Sequence, residues 1–335
     1  MDKLVSMLRA AGDPTRLRLL LLLRQAELTV SELIEIVGQS QPRVSRHLKL
    51  LCEAGLLERF KEGSWVFHRA VDDGDGAALG QLLAGLVTED DGLYALDRQR
   101  LAGVRAERAH QAADFFKANA AEWNRIRALY APEQAVEAAI LRHLSDRHID
   151  MLLDAGTGTG RMLELAAPLA RRAIGIDASS EMLAIARDKL AKPELAHCQV
   201  RLGDICQLPF SNGAPETGFD AVLIHQVLHY LENPAAAVAE AARVLRPNGR
   251  LIIADFAPHT LEFLREEYAH RRLGFADKEV AGWFHSAGLS VAPAEAIAPD
   301  AAVTASDSTE KLTVKIWLAE KKPSPAPAAA QKEIL

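Results

Sequence analysis

Apolar and polar positions alternate at helical spacing in two short runs between residues 29 and 53. The apolar positions are Val30, Leu33, Ile34 and Val37 in the first run and Val44, Leu48 and Leu51 in the second. Thr29 followed three positions later by Glu32 forms a capping box, so we expect the first helix to begin here. Gly38 and the letters QSQP interrupt the pattern before the second run. The pattern therefore predicts two short helices joined by a tight turn.

The second predicted helix carries a polar face that suits the major groove of DNA. Arginine side chains hydrogen-bond to guanine edges, whereas lysine and short polar side chains reach phosphates. The predicted DNA contacts on this helix and at its start are Ser40, Gln41, Arg43, Ser45, Arg46 and His47. The following ERFKEGSWVFHRA predicts two strands with a hairpin tip at 61–64, where Lys61 adds a phosphate contact. A winged helix-turn-helix is predicted, although a cationic helix face alone could equally be a solvated surface.

Residues 77–145 are rich in Ala, Leu, Arg and Glu, which is typical of one long helix or two joined helices. A helix this polar could be a solvated connector. We favour a role in dimerisation and linkage, because winged-helix proteins bind two half-sites and need a two-fold interface. Its far end is expected to cover the following domain with the aromatic residues Phe116, Trp123 and Tyr130.

The pattern changes near residue 149, where IDMLLDAGTGTGRMLELAAPLA gives a short apolar run, a glycine loop and a helix. This order is the opening of an α/β domain of the nucleotide-binding type. The loop glycines are Gly156, Gly158 and Gly160. The third glycine of a dinucleotide fingerprint is replaced by Arg161. Asp154 before the loop would repel a pyrophosphate but attract an ammonium group, which favours S-adenosylmethionine, a ligand with an ammonium and no phosphate.

The next segments offer acidic and apolar residues where the same ligand would need them. Asp177 ends the predicted second strand, 23 residues after Asp154, and can accept hydrogen bonds from both ribose hydroxyls. Asp204 can accept from the adenine amino group, and the fourth strand leaves His225 and Gln226 at its carboxyl end, the ligand-binding edge. The predicted ligand contacts are Asp154, Gly156, Gly158, Asp177, Ala178, Met182, Gly203, Asp204, Ile205 and His225.

Charge and cysteine content limit the partners of the two parts of the chain. Residues 1–70 hold 11 lysines and arginines against 8 aspartates and glutamates, whereas the remainder holds 28 against 37. The basic part is the one expected to lie near phosphates. The three cysteines, Cys52, Cys198 and Cys206, have no paired spacing, which argues against disulfides and zinc ribbons. We find no signal-peptide core and no apolar run long enough for a membrane, so we expect a cytoplasmic protein.

Residues 1 to about 70 resemble the ArsR family of dimeric repressors through DPTRLRLLLLL, ELTVSEL, SQPRVSRHLKLLCEAGLL and EGSWVFHR. The resemblance implies a homodimer that binds an inverted-repeat operator in double-stranded DNA. Metal-sensing members of the family read ELCVCDL where this sequence has Thr29 and Ser31. Neutral hydroxyls are poor ligands for soft metals, so we expect no metal site.

The segments DAGTGTG, GIDASSEML, GDICQLPF and LRPNGRLIIAD resemble class I S-adenosylmethionine-dependent methyltransferases, especially the quinone-biosynthesis C-methyltransferase type. KLTVKIWLAEK resembles the terminal hairpin strand of that family. The resemblance implies an α/β Rossmann-like fold with a mostly parallel seven-stranded sheet. The expected organisation is a winged helix-turn-helix domain at 1–75, a helical dimerisation segment at 76–114, a methyltransferase-like domain at 115–320 and a disordered tail at 321–335.

The fusion resembles proteobacterial regulators that respond to S-adenosylhomocysteine and control genes of the methionine and methyl cycle. The expected function is a dimeric repressor whose operator affinity depends on S-adenosylmethionine or S-adenosylhomocysteine. The alternative is an active small-molecule methyltransferase, because methyl transfer depends on positioning and no general base is obligatory. Its catalytic residues are unknown from the sequence. The candidates for an acceptor site, or for a cover over the cofactor, are Asp255, His259, Tyr268, His270, Arg271, Arg272 and Trp283.

Overall fold

The computed structural model describes residues 1–62, 65–71, 74–88, 91–120, 133–299 and 312–323. The chain forms two compact units. The first comprises Met1–Asp114 together with Thr260–Ala269, and the second comprises Phe115–His259 together with His270–Leu335. The helical segment 76–114 lies in the first unit. No helix in the described ranges is both long enough and apolar enough to cross a membrane.

The first unit alternates helices with the short strands of a winged helix-turn-helix. Its elements are α1 (Asp2–Ala11), α2 (Pro14–Leu23), β1 (Leu28–Thr29), α3 (Val30–Val37), α4 (Gln41–Glu53), β2 (Leu57–Glu62), β3 (Trp65–Ala70), α5 (Gly74–Leu86) and α6 (Gly92–Asn119). α2 begins where Asp13 accepts a hydrogen bond from the backbone N–H of Arg16 at 3.0 Å and Pro14 fills the first helical position. The last residues of α6 belong to the second unit.

The predicted helix-turn-helix and its wing are confirmed. Thr29 Oγ1 accepts from the N–H of Glu32 at 3.3 Å, and Glu32 Oε2 accepts from the N–H of Thr29 at 2.8 Å, which completes the capping box. Gly38 ends α3 with a φ of 68°. The strands pair antiparallel in the order β1, β3, β2. The core of this unit includes Leu19, Leu22, Leu28, Leu33, Val44, Leu48, Leu51 and Leu101.

The first half of α6 is attached to the helix-turn-helix by arginine contacts. Arg18 of α2 donates to both carboxylate oxygens of Asp97 in α6 at 2.5 Å each, and the Asp97 side chain is fully buried. Arg100 of α6 donates to a backbone carbonyl of α3 at 2.9 Å. Leu101 adds an apolar contact to the core. This part of α6 is therefore integral to the first unit, which excludes the solvated-connector alternative for it.

The second unit alternates strands and helices, as the sequence predicts. The elements that follow α6 are α7 (Glu133–Ser145), β4 (Ile149–Ala155), α8 (Arg161–Ala166), β5 (Ala170–Asp177), α9 (Ser180–Lys189), β6 (Cys198–Leu202), β7 (Phe219–His225), α10 (Pro234–Val244), β8 (Leu245–Phe256), α11 (Phe263–Tyr268, in the first unit), α12 (Asp277–Ser286), β9 (Leu289–Val291), β10 (Glu295–Ile297) and β11 (Val314–Lys321). Residues 77–145 thus contribute to α5, α6 and α7, and residues 121–132 lie outside the described ranges.

The sheet of the second unit confirms the predicted Rossmann-like fold. Its strand order is β10, β11, β8, β7, β4, β5, β6, and β4 to β8 are parallel to one another. β11 runs antiparallel to β8 and β10, and β9 pairs with it as an eighth strand beyond the seven expected. The parallel strands end at one edge, where open α/β sheets bind ligands. Of the tail expected at 321–335, Lys321 ends β11 and residues 324–335 lie outside the described part.

Candidate DNA-binding and cofactor sites

Helix α4 buries one face and exposes the other, as its apolar spacing predicts. The buried side chains are Val44, Leu48 and Leu51. The exposed residues among the predicted DNA contacts are Ser40, Gln41, Arg43, Ser45 and Arg46. Arg43 and Arg46 are three positions apart and therefore lie on the same side of the helix. The helix presents two guanidinium groups on the side opposite its core contacts, the arrangement that direct readout of guanine requires.

His47 is only partly exposed, unlike the other predicted DNA contacts on this helix. Its side chain is 15% exposed, and its Nδ1 lies 3.9 Å from Oδ1 of Asp13 at the start of α2. His47 follows Val44 by three positions and precedes Leu51 by four, so it borders the buried stripe. Packing against the cap of α2 covers part of the imidazole.

The wing carries Lys61 as an exposed residue near the end of β2. The predicted hairpin tip includes residues 63 and 64, which lie outside the described ranges. Phe60 and Phe67 stack across β2 and β3 with their ring centres 5.7 Å apart. This aromatic pair stabilises the hairpin that carries Lys61.

The two hydroxyl residues at the start of α3 have structural surroundings of different kinds. Thr29 is committed to the capping box, where its Oγ1 also donates to Glu32 Oε2 at 2.9 Å, and Ser31 is exposed.

Burial raises the pKa of Cys198 and of Cys206 to about 11, so both thiols are neutral and poorly nucleophilic at neutral pH. Among the described residues, no group of three or more His, Cys, Asp or Glu is arranged to hold a metal ion.

The glycine loop after β4 is held against β5 and the turn that follows β7. Asp154 is buried and accepts from Thr157 Oγ1 at 2.6 Å. The N–H groups of Gly156 and Thr157 both donate to the Ile176 carbonyl, at 2.7 and 2.9 Å. Gly156 has a φ of 84°, and a Cβ there would lie 2.3 Å from Cγ2 of Val227. Only glycine therefore allows the loop to lie this close to its neighbours.

Asp177 lies at the carboxyl end of β5, and its carboxylate is anchored by two backbone groups. Oδ2 accepts from the N–H of Gly158 at 2.7 Å, and Oδ1 accepts from the N–H of Ser179 at 2.9 Å. Each carboxylate oxygen has two lone pairs, so each retains capacity for one ribose hydroxyl. Burial raises the pKa of Asp177, although these backbone hydrogen bonds act in the opposite direction. The two backbone groups thus fix the orientation of the Asp177 carboxylate.

The predicted adenine contacts lie in the loop after β6. Gly203 donates its N–H to the carbonyl of Asp177 at 3.0 Å, which joins the loop to the predicted ribose contact. Asp204 is exposed and accepts from the N–H of Cys206 at 2.8 Å, whereas Ile205 is buried. The loop therefore combines an acceptor with an apolar surface, the pair that an adenine ring with its amino group needs.

The end of α6 covers part of this edge, as expected for Phe116. Phe116 packs edge-on against Tyr230, with the ring centres 4.8 Å apart, and both contact the cluster of Ala120 and the buried Met182 of α9. Ala178, another predicted contact, is exposed between β5 and α9. Trp123 and Tyr130, the other expected cover residues, lie outside the described part of the chain.

The turn after β7 contains a functional candidate that the sequence prediction missed. His225 ends β7 and is buried, as predicted for a strand-end residue. His229, four residues later, places its Nδ1 2.6 Å from Oδ1 of Asp255 in β8, and both side chains are at most 2% exposed. The ring of His270 lies 4.2 Å from that of His229. The spacing of His225 and His229 after a buried strand was the available signal.

Other members of the predicted acceptor cluster have different surroundings. Arg271 lies 3.9 Å from a carboxylate oxygen of Glu232, and Arg272 lies 3.7 Å from Glu279. The ring of Trp283 packs edge-on against Phe275 in the core of the second unit. His259 packs against Phe256 at 5.9 Å, and Tyr268 belongs to α11 in the first unit. The structure brings the side chains of Asp255 and His270 together at His229, and the backbone N–H groups of Arg271 and Arg272 also donate to the His229 carbonyl.

Each of the two units matches known proteins. Residues 13–59 match the bacterial regulatory protein, arsR family, and residues 153–253 match a methyltransferase domain. An uncharacterized HTH-type transcriptional regulator of Methanocaldococcus jannaschii is 40% identical over 73 residues, which cover 22% of this chain and 82% of that protein. A probable S-adenosylmethionine-dependent methyltransferase of Mycolicibacterium smegmatis is 31% identical over 155 residues, which cover 42% of this chain and 57% of that protein.

A methyltransferase solved in complex with the Haloferax volcanii Trm112 methyltransferase activator has the same fold, with a TM-score of 0.52 and 21% identity over 64% of this chain and 100% of that one. The chain spans between 34% and 57% of the length of five curated relatives that it matches. The domain match confirms the predicted cofactor, S-adenosylmethionine or S-adenosylhomocysteine. The chain belongs to the ArsR family of bacterial regulatory proteins through its first unit and carries a methyltransferase domain in its second.

Proposed function

We propose that this protein is a dimeric DNA-binding repressor whose operator affinity depends on S-adenosylmethionine or S-adenosylhomocysteine bound in its methyltransferase domain. The main support for this proposal is the carboxylate of Asp177. Two backbone N–H groups hold it at the carboxyl end of β5, where it can accept hydrogen bonds from a ribose. The first unit offers an exposed recognition helix, and hydroxyls stand where metal-sensing relatives have thiols. The adenosyl ligand therefore takes the place of a metal as effector. Genes of the methyl cycle are the proposed targets, and the cytoplasm is the proposed location.

The path of the chain supports coupling between ligand and operator. The chain passes between the two units at residues 114–115, 259–260 and 269–270. His259 and His270 lie at the last two crossings, shortly after the end of β8, and His270 packs on His229 in the second unit. A ligand-dependent change at this edge can therefore act on the first unit through covalent connections.

Gel-shift titration of the full-length protein tests this function directly. S-adenosylhomocysteine and S-adenosylmethionine would each be added to protein that half-saturates its operator. A coupling free energy of about 1–3 kcal/mol predicts a 5- to 150-fold change in operator affinity with at least one of them. If neither ligand changes operator affinity at saturation, the regulator hypothesis fails, and a DNA-tethered methyltransferase explains the fusion better.

Exposed leucines on three helices of the first unit support a homodimer. On these helices the large apolar residues exposed by 37% to 71% are Leu4, Val5 and Leu8 on α1, Leu82 and Leu86 on α5, and Leu93 and Leu96 on α6; Leu50 on α4 is also 38% exposed. Leu4 with Leu8, and Leu82 with Leu86, are four positions apart and so form stripes along their helices. A second copy is the occupant that an inverted-repeat operator requires.

Replacing Leu82 and Leu86 together by glutamate should therefore convert the dimer into a monomer and remove cooperative binding to two half-sites. Two buried carboxylates without partners would oppose association strongly. Sedimentation equilibrium measures the oligomeric state of the full-length protein. Leu202→Glu, on β6 of the second unit where the leucine is 61% exposed, is the matched control and should remain dimeric. A dimer of unchanged affinity in the double variant would contradict the proposed interface.

Arg46→Ala should lower affinity for the operator by about 5- to 150-fold while affinity for non-specific DNA changes much less. A bidentate arginine–guanine contact is worth about 1–3 kcal/mol, and it discriminates between bases. Competition gel shifts with operator and scrambled DNA measure the ratio. Lys49→Ala, on the same helix and also exposed, should reduce both affinities alike if it contacts phosphate. Unchanged footprints for Arg46→Ala would exclude α4 as the reading helix.

A further inference from the structure

The turn after β7 holds two buried polar atoms for which the described residues offer no hydrogen-bond partner. They are Nε2 of His229, which is 1% exposed, and Nε2 of Gln226, which is 5% exposed. Native proteins satisfy nearly all such groups, because each unsatisfied one costs about 1–3 kcal/mol. Both residues follow β7 at the edge where open α/β sheets bind ligands. Each of the two atoms therefore indicates a polar partner beyond the described side chains.

The contacts of His229 determine what its Nε2 can do. A carboxylate only accepts hydrogen bonds, so the 2.6 Å contact with Asp255 Oδ1 assigns a proton to Nδ1. In the neutral ring, Nε2 then carries the lone pair. The same oxygen of Asp255 also accepts from the N–H of Phe256 at 2.8 Å, which fixes the carboxylate. The N–H groups of Arg271 and Arg272 donate to the carbonyl of His229 at 2.9 and 3.1 Å. The imidazole is thus held in place, and in its neutral form Nε2 is its hydrogen-bond acceptor.

The surroundings of this acceptor are aromatic. The ring centres of Tyr230, His270 and Phe256 lie 4.1, 4.2 and 5.1 Å from that of His229. Gln226 has a φ of 54°, a left-handed conformation that costs a non-glycine residue free energy and is concentrated at functional sites. Its N–H donates to the carbonyl of Ala254 at 2.7 Å, which holds the strained backbone in place. Flat aromatic surfaces with one acceptor and one amide suit a planar hydroxylated ligand.

We propose that His229 and Gln226 bind a hydroxylated aromatic compound and that His229 takes the proton of its hydroxyl group. The O–H bond breaks, its electron pair stays on the oxygen, and the proton forms a bond to Nε2. Asp255 then stabilises the imidazolium as a positioning residue. The resulting phenolate has the nucleophilic oxygen that a methyl acceptor needs. The proposal goes beyond the regulator function, because it gives the methyltransferase domain an acceptor class and does not require operator binding to respond.

4-Nitrophenol serves as the probe because its phenolate has a visible absorption band. It would be titrated into full-length protein, with and without S-adenosylhomocysteine, about one pH unit below the pKa of the free phenol. The parent should give a saturable phenolate band. His229→Asn retains an amide that can donate to Asp255 but lacks Nε2, so the band should disappear. Gln226→Leu should weaken probe binding by about 5- to 150-fold. 4-Nitroanisole, which has no hydroxyl hydrogen, should bind at least tenfold more weakly than 4-nitrophenol.

Nitrogen NMR of protein labelled at its histidines provides the second readout. The resonances missing from His229→Asn identify His229, and His148→Asn, at a histidine 78% exposed, is the control. In the free protein, His229 should carry a proton on Nδ1 alone. Binding of 4-nitrophenol should leave both ring nitrogens of His229 protonated. Asp255→Asn should abolish this protonation of Nε2 by the probe. Three results would overturn the proposal. The parent protein could show no phenolate band, His229→Asn could show the same band as the parent, or Nε2 could already be protonated before the probe is added. Operator gel shifts test the regulator function separately.

Discussion

Replacing Asp177 by alanine is expected to weaken binding of S-adenosylmethionine and S-adenosylhomocysteine at least tenfold. The carboxylate is half-buried at the end of β5, and its two oxygens are oriented by Gly158 and Ser179. Two further hydrogen bonds from ribose hydroxyls would each contribute about 1.5–3 kcal/mol, because the acceptor is charged. Isothermal titration calorimetry of the full-length protein with each ligand measures the loss.

The same substitution also tests the link between ligand and DNA. A ligand shifts operator binding only by its differential affinity for the two states, so the ligand concentration that changes operator occupancy should rise by the same factor as the dissociation constant. Operator affinity without ligand should stay at the parental value. Asp188→Ala, at an exposed carboxylate on the neighbouring α9, is the matched control and should alter neither quantity. Parental ligand affinity in Asp177→Ala would remove Asp177 from the site.

The parts of this molecule that sequence reasoning predicted are those whose signal is local. The capping box of Thr29 and Glu32 needs only three residues of separation, and it begins α3 as expected. Likewise, the apolar runs around β7 and β8 are short and bounded by turns, and both became buried parallel strands. Asp177 could be predicted as a strand-end residue for the same reason, because the end of the apolar run fixes its position.

His47 shows that a local pattern is least informative at the border of a helix face. Helical spacing distinguishes the centre of a buried stripe from the opposite side of the helix. The exposure of a residue at the edge of the stripe depends on which neighbouring element packs beside it. Here the cap of α2 brings Asp13 to within 3.9 Å of the imidazole. That neighbour lies 34 positions earlier in the sequence, and no periodicity within α4 could indicate it.

Long-range polar pairs are the features that the sequence could least reveal. His229 and Asp255 are 26 positions apart, and they meet because β7 and β8 are adjacent parallel strands whose ends coincide. Arg18 and Asp97 are 79 positions apart and lie in helices whose patterns were read separately. The sequence indicates Asp255 as a candidate for an acceptor site, but it contains no signal for its partner. Only the tertiary structure shows that Asp255 pairs with His229 and that Arg18 pairs with Asp97.

The Arg18–Asp97 pair leads to the largest expected change in stability. Asp97→Ala should lower the free energy of unfolding of the first unit by about 3–5 kcal/mol, because it leaves a largely buried guanidinium without its carboxylate. The Arg18 side chain is 14% exposed and that of Asp97 is fully buried, and the hydrogen bond to Asp97 raises the pKa of Arg18. Hydrogen–deuterium exchange of peptides from α2 and α6 in the full-length protein measures the loss without requiring a single unfolding transition.

Two further variants separate a buried charge from a general defect in packing. Asp75→Ala breaks an ion pair with Lys3 that is 2.9 Å long but has side chains 71% and 68% exposed, so it should cost less than about 1 kcal/mol. The double variant Arg18→Met with Asp97→Leu replaces the buried pair by apolar side chains, and it should recover most of the stability that Asp97→Ala loses. If the double variant is as unstable as the single one, the hydrogen bonds between α2 and α6, and not an unpaired charge, determine how this helix is held.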